Sequence, residues 1–158
     1  MLFRSADAIE THPTLLQRLD SIRKQAAIAM GIAKNGNDVP GSIPKIAIVS
    51  VPYSHKLISG EVLEEDECDI LVRAISVGQP HRAVPITVAM ALAVASRLPG
   101  STVYRNTSKT PVDQDGVTIG HNSGKLLVGA NFDENGTVKD ATVFRTARRL
   151  MEGTIYWR

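Results

Sequence analysis

Residues 83–95 constrain the fold more than any other part of the sequence, because this segment contains no charged residue. Its sequence, AVPITVAMALAVA, is apolar and rich in small residues, so a helix formed here has no polar face to turn toward water. The segment is shorter than the roughly 20 apolar residues that cross a bilayer. We therefore expect a helix over residues 83–98 that is enclosed by protein on every side, most simply by a curved β-sheet.

The composition predicts one domain over residues 1–158, since a chain of 158 residues with 43% hydrophobic content suffices for one core. Eighteen basic and sixteen acidic residues are spread without a basic block, which excludes nucleic acid as a favoured partner. No apolar run reaches membrane-spanning length, and the N-terminus does not resemble a signal peptide, so we expect no membrane partner and a cytoplasmic location. The single cysteine, Cys68, allows no internal disulfide, and no Cys/His cluster has metal-ligand spacing.

Two amphipathic helices are predicted before the uncharged segment. The first covers residues 11–30, with Thr11 as its cap, Gly31 near its end and apolar residues at helical spacing. The second begins with the acidic residues 64–66 and ends at Gly78. Its apolar face would consist of Ile70, Leu71, Ala74 and Ile75.

Strands are predicted from alternating or continuous apolar runs flanked by turn residues. The predicted strands cover residues 2–5, 45–51, 101–104, 117–120, 125–130, 137–144 and 154–157. Between the strands predicted over residues 125–130 and 137–144, the pair Asn135-Gly136 is typical of a tight hairpin turn. These elements predict an α+β domain with antiparallel strands around a central helix.

Several segments, in order, resemble the PrpF family. They are the first helix LLQRLDSIRKQAAIAMG and the strings KIAIVSVP, DILVRAISVGQPHRAVPITVAMALAVASRLPGS, GHNSGKLLVGA and RTARRLMEG. The family patterns are similar to LVRALSMG, IPGT and GHPSG-x-L-x-VGA, and the resemblance covers nearly the whole chain. It implies the diaminopimelate-epimerase fold, a β-barrel wrapped around a central helix. It further implies that the chain is one of the two domains normally present, the C-terminal one.

The resemblance also implies a cofactor-independent isomerase, or half of one. Members of the family shift a proton α to a carboxylate on 2-methylaconitate, methylitaconate, aconitate or oxalomesaconate, with neither metal nor organic cofactor. Such chemistry needs a base, an acid, and donors that stabilise the developing charge and hold the carboxylates. In the family, the proton-transferring Lys and Cys lie in the N-terminal domain, which we expect to be missing from this chain. We therefore assign no catalytic acid or base here and expect the chain to supply the carboxylate-binding donors.

The substrate-binding residues implied by the resemblance lie in two segments. In the first, His121, Asn122, Ser123 and Gly124 would hold a carboxylate, and the alternative is a polar loop between two strands. In the second, His81 and Thr87 flank the start of the central helix, and the alternative for His81 is capping or packing. The chain departs from the family pattern at Asn122, usually Pro, and at Ile86, usually Gly.

Other reactive side chains are predicted to be structural. Cys68 lies among acidic residues that would raise the pKa of its thiol, so packing explains it better than proton transfer. We assign Lys56 and Lys125 to the solvated surface. The arginines near the C-terminus are expected to form ion pairs between the last strands and the first helix rather than to bind substrate; they are Arg145, Arg148 and Arg149.

Two alternatives to an autonomous isomerase remain open. The chain could be a truncated, non-catalytic binding domain that docks with a separate N-terminal domain or associates with itself. It could also form a homodimer in which two copies imitate the two-domain enzyme and share one cleft. In every case the predicted small-molecule partner is a polycarboxylate.

Overall fold

A computed structural model describes residues 5–145 and 149–157. The helices in this part of the chain are α1 (Ala6–Glu10), α2 (Leu15–Ala29), α3 (Ile86–Ala95) and α4 (Thr102–Asn106). The strands are β1 (Ile46–Ser50), β2 (His55–Lys56), β3 (Val62–Leu63), β4 (Ile70–Ser76), β5 (Gln79–Pro80), β6 (Val117–His121), β7 (Gly124–Phe132) and β8 (Val138–Val143). This content confirms the predicted α+β class. None of these helices combines the length and the apolar character that crossing a membrane requires.

The main sheet has the strand order β1-β4-β6-β7-β8, with β5 paired to the end of β4. All its pairs are antiparallel except β4 with β6, which are parallel. Strands β2 and β3 form a separate antiparallel pair. The main core lies between the sheet and α3, and its buried members are Ile70, Val72, Val84, Ala89, Leu92, Ala93, Ile119 and Val128.

The central helix is covered on one side only, so the prediction of complete enclosure is wrong for the described chain. Ala89, Leu92 and Ala93 recur at helical spacing and are buried against the sheet. Ile86 is 42% exposed and Ala91 also faces solvent. The uncharged sequence reflects a helix in an apolar setting, but the sheet formed by the described residues lies against only part of its circumference.

The segment predicted as the second helix is instead the strand β4. Its residues Ile70 to Ile75 are all buried, because β4 lies between β1 and β6 and both of its faces are covered. A strand buried on both faces has a continuous apolar sequence, and such a sequence also fits the apolar face of a helix. The acidic residues before it form a 3₁₀ turn, Glu65–Glu67, and Gly78 lies in the turn from β4 to β5.

Three further predictions at element ends are wrong. The first long helix begins after Thr14 rather than Thr11, because Thr11 terminates the short helix α1. Residues 101–104 form a helix rather than a strand: the Ser101 side chain accepts a hydrogen bond from the Tyr104 N–H at 2.9 Å and caps α4. Residues 154–157 are not in a strand, and Trp157 is 89% exposed.

The remaining strand predictions are confirmed, with small shifts of their ends. Strands β1, β6, β7 and β8 occupy the predicted positions, and Asn135-Gly136 lies in the tight connection from β7 to β8. The predicted strand over residues 2–5 falls mostly outside the described residues; Ser5 caps α1. Arg148 is likewise outside them, and Arg149 pairs with Glu152 at 2.7 Å rather than with the first helix.

Candidate functional site

The predicted carboxylate-binding segment is the tight turn between β6 and β7. His121 and Gly124 face each other in the register of the two strands, and Asn122 and Ser123 connect them. His121 and Asn122 are buried, at 9% and 5% exposure, whereas Ser123 is exposed. Gly124 has φ of 135°, a conformation that residues with a Cβ rarely adopt. The turn therefore presents one exposed hydroxyl above two buried polar side chains.

This turn contacts the segment that leads into α3. The Ser123 hydroxyl donates to the carbonyl oxygen of Arg82 at 2.9 Å, four residues before the helix begins at Ile86. The structure thus brings the two predicted binding segments together. In this arrangement the hydroxyl proton of Ser123 is engaged, so Ser123 must rotate before it can donate to a ligand.

A glycine is needed at position 120, the start of the GHNSG string, because neighbouring side chains lie too close for a Cβ. Its dihedral angles alone would allow other residues. A Cβ added at Gly120 would lie 2.6 Å from Cδ2 of Leu71 and 2.9 Å from Sγ of Cys68. Both neighbours are buried, so neither can move away easily. The glycine allows β6 to lie against β4 and fixes the depth at which the following turn is held.

His121 is held in the neutral form. Burial, the charge of Arg73 and the neighbouring His55 lower its pKa from 6.5 to about 4. Its Nδ1 accepts a hydrogen bond from the Ser123 N–H at 3.1 Å, so the ring proton resides on Nε2. His121 can therefore offer one N–H donor at neutral pH, but it does not bring a positive charge to the turn.

The other two predicted binding residues are placed differently. The ring of His81 lies 2.6 Å from the hydroxyl of Ser76, measured from Nε2, and its backbone N–H donates to the carbonyl of Ala74 at 2.8 Å. These contacts tie His81 to β4, in agreement with the structural alternative. Thr87, in the first turn of α3, is exposed.

The sequence reasoning missed three residues near the turn: Tyr53, His55 and Arg73. Arg73 is 3% exposed and donates to the carbonyl of Val72 at 3.0 Å. Burial lowers the pKa of its guanidinium to about 10, against opposing effects of Tyr53 and Cys68, so it remains a cation at neutral pH. The rings of Tyr53 and His55 meet edge to face with centroids 5.8 Å apart. The buried side of the turn is therefore electropositive.

A signal for Arg73 was present in the sequence. In the predicted helix, Arg73 would fall away from the apolar face formed by Ile70, Leu71, Ala74 and Ile75 and would point into water. In a strand covered on both faces, every residue from Ile70 to Ile75 is interior. A charged residue inside a fully buried strand is uncommon enough to suggest a function.

Two of the residues set aside from the site, Cys68 and Lys125, fit their structural assignments. Cys68 is 2% exposed, and burial together with Asp69 raises the pKa of its thiol to about 11. Lys125 forms an exposed ion pair with Glu67 at 2.9 Å. Within the described ranges, no group of three or more His, Cys, Asp or Glu residues is arranged to hold a metal ion.

The fold and the turn together define an α+β domain with a polar, electropositive site at one end of its central helix. A family model described as PrpF protein matches residues 4–158. The chain belongs to the PrpF family.

Curated relatives of the chain are named as isomerases. It is 37% identical over 154 residues to 2-methyl-aconitate isomerase from Shewanella oneidensis, covering 94% of this chain and 38% of the relative. It is 30% identical over 154 residues to 3-methylitaconate isomerase from Eubacterium barkeri, covering 95% of this chain and 40% of the relative. The chain thus spans about two-fifths of the length of these relatives.

A solved structure shares the fold. The crystal structure of methylitaconate-delta-isomerase superposes with a TM-score of 0.83 at 30% sequence identity. The match covers 95% of this chain and 39% of that one. The similarity therefore extends over most of the fold described above.

Proposed function

We propose that this chain is the carboxylate-binding part of a cofactor-independent isomerase that moves a proton on a small polycarboxylate. Methylaconitate, aconitate and oxalomesaconate are the candidate substrates. Relatives are named for isomerisation of methylaconitate, methylitaconate and oxalomesaconate, which supports this class. Because the chain matches only about two-fifths of their length, we propose that it corresponds to one domain, the C-terminal one, of such an enzyme.

The observation that carries the proposal is the contact between the β6–β7 turn and the segment before α3. Ser123 joins the two by its hydrogen bond to Arg82, and the buried Arg73 gives the turn a positive electrostatic environment. Neutral N–H and O–H donors near a fixed positive charge suit a carboxylate better than a cation or an apolar group. The donors proposed to reach the ligand are the His121 Nε2–H, the Asn122 amide, the Gly124 N–H and, after rotation, the Ser123 hydroxyl.

Ligand binding tests the proposal at Ser123. Calorimetric titration of the chain with tricarballylate, a non-isomerisable tricarboxylate, should show saturable binding. The Ser123→Ala variant should bind it roughly threefold to tenfold more weakly, the range expected for one lost hydrogen bond. Ser42→Ala, which truncates an exposed serine in the loop before β1, is the matched control. Equal affinity of both variants and the parent chain would remove Ser123 from the site.

Proton exchange tests whether the chain also catalyses. Incubation with aconitate or methylaconitate in heavy water, followed by mass spectrometry of the recovered substrate, detects deuterium incorporation directly. Exchange above the protein-free rate would support an autonomous isomerase. Binding without exchange would support the second candidate function, a non-catalytic domain that works with a separate partner domain.

Self-association is favoured by a specific feature of the surface. The uncovered side of α3 and the C-terminal residues expose apolar side chains, among them Ile86, Leu150, Met151 and Trp157. Extensive exposed apolar surface is a common mark of an interaction site. We propose a homodimer, or docking with an N-terminal domain, as the assembled form, and the cytoplasm as its location.

A further inference from the structure

A depression of about 390 Å³ lies beside the β6–β7 turn and shares Asn122 with it. Its wall is assembled from segments far apart in sequence, including Asp7 from α1, Lys56 and Ile58 near β2, and Arg82 before α3. From the sequence, Lys56 was expected at the solvated surface and Arg82 had no predicted role. Only the folded structure brings these residues together around one depression, since they are far apart in sequence.

Asn122 indicates which kind of ligand the depression binds. The residue is 5% exposed, and its side-chain amide nitrogen is buried without a hydrogen-bond partner among the described residues. Its backbone carbonyl accepts from the Ile58 N–H at 2.9 Å, which holds the residue in the wall. A buried amide without a hydrogen-bond partner is energetically unfavourable. A ligand oxygen would supply that partner once the amide turns toward the depression, because the nitrogen is inaccessible to solvent in the structure.

The charged side chains at the rim favour an anion. Lys56 and Arg82 are exposed, and neither forms an ion pair with another described residue. Asp7 supplies one opposing carboxylate at the edge of the depression. Two cations against one anion leave a net positive rim, and a guanidinium in particular pairs with a carboxylate through two parallel N–H donors.

The depression and the turn are also adjacent. Before a ligand binds, the Ser123 hydroxyl donates to the Arg82 carbonyl at 2.9 Å, so the backbone that carries the Arg82 side chain lies against the turn. A ligand with two carboxylates would meet the turn with one and the depression with the other. Asn122 lies at the boundary between the two positions.

We propose that this depression binds a second carboxylate of the substrate, with Lys56 and Arg82 as specificity-determining residues that select polycarboxylates over monocarboxylates. The inference rests on the proposed function, since it takes the first carboxylate to be held at the β6–β7 turn.

The test compares affinities for tricarballylate and butyrate by calorimetric titration of the full chain. Lys56→Gln and Arg82→Gln should each weaken tricarballylate binding roughly tenfold while leaving the weaker butyrate binding unchanged, because each loses one charge-assisted contact. Arg82→Lys should recover only part of the loss, because it restores the positive charge but not the two parallel N–H donors. Lys139→Gln is the matched control: it removes one exposed positive charge in β8, beside the end of β7 remote from Gly124.

The outcomes separate this inference from the proposed function. If Ser123→Ala weakens tricarballylate binding but Lys56→Gln and Arg82→Gln behave like Lys139→Gln, the specificity pocket is wrong and the proposed function stands. If the chain binds neither carboxylate, both are overturned. Titration with inorganic phosphate adds a further arm, since phosphate binding as tight as that of tricarballylate, with the same dependence on Lys56 and Arg82, would overturn the assignment to carboxylates. Thermal unfolding followed by circular dichroism verifies that each variant is folded.

Discussion

His121 shows how much of a residue's chemistry depends on its surroundings. The sequence placed it in the candidate site as a donor, but its protonation state depends on burial and on Arg73, which lies 48 positions earlier in the chain. A motif identifies the residue type at a position. It does not identify the charges that the fold brings near it, and for this reason Tyr53, His55 and Arg73 were missed.

The depressed pKa of His121 predicts a pH dependence of stability. The folded state has a pKa of about 4 at this ring and the reference value is 6.5, so the unfolded chain binds more protons between these values. The contribution of this ring to the free energy of unfolding should be fully present above pH 6.5. It should be lost as the pH decreases toward 4, which lowers the free energy of unfolding by at most about 3 kcal/mol. Urea unfolding at pH 7 and pH 5 measures the change.

The control for this prediction is His121→Gln, which removes the titrating ring and keeps an acceptor for the Ser123 N–H. Its stability should change less between pH 7 and pH 5 than that of the parent chain. An equal change in the two proteins would show that other groups cause the pH dependence.

Gly120→Ala should destabilise the fold. The added methyl would meet Leu71 and Cys68 at 2.6 and 2.9 Å, inside the buried cluster beneath the turn. Overpacking of this kind costs typically 1–3 kcal/mol. Gly153→Ala, where a Cβ would meet nothing within 4 Å, is the control and should change the free energy of unfolding little. Similar urea midpoints for the two variants would contradict the packing seen at Gly120.

At the scale of elements, the hydrophobic periodicity predicted the correct element type where one face is buried and the other is exposed to solvent. It failed where both faces are buried. The long helix α2 and the hairpin of β7 and β8 carry a distinct solvent face, and each was found near its predicted position. Strand β4 is interior on both faces, so its apolar run fits a strand and a helix equally well. At α4, the Ser101 cap outweighed the strand preference of Thr102, Val103 and Tyr104.

The turn between β4 and β5 gives a prediction at this scale. Val77 and Gly78 both have positive φ, 51° and 73°, as in the two-residue turns that connect strands tightly. Valine is poorly suited to that conformation, and its side chain is 69% exposed, so burial offers little compensation. Val77→Asn should raise the free energy of unfolding by about 1 kcal/mol. Val51→Asn, at an exposed valine without positive φ, should not, and equal effects would contradict the strained turn.

At the scale of the whole molecule, the uncharged helix was predicted to be buried on all sides, and it is buried on one. The apolar composition of a helix indicates that its surface is shielded from water. It does not indicate whether the same chain or another protein chain covers that surface. The two segments predicted to bind substrate do lie next to each other, at the Ser123 contact. The depression beside them was not predictable, since its walls come from segments with no motif in common.

Self-association should be visible through Trp157, the single tryptophan of the chain. Its side chain is 89% exposed in the isolated chain, so dilute protein should show the red-shifted emission of a solvated indole. Concentrating the protein should shift the emission to the blue as sedimentation velocity reports a dimer. The double variant Leu150→Ser/Met151→Ser should require a higher concentration for both changes, and a parent chain that stays monomeric at high concentration would contradict the proposed homodimer.

The central claim is that the β6–β7 turn and the start of α3 form one binding site for a polycarboxylate. The most direct measurement is a titration of ¹⁵N-labelled chain with tricarballylate followed by amide chemical shifts. The account predicts that the amides of Asn122, Ser123, Gly124, Ile86 and Thr87 shift together along one saturation curve. Shifts confined to other regions, or no saturable shift at all, would contradict it.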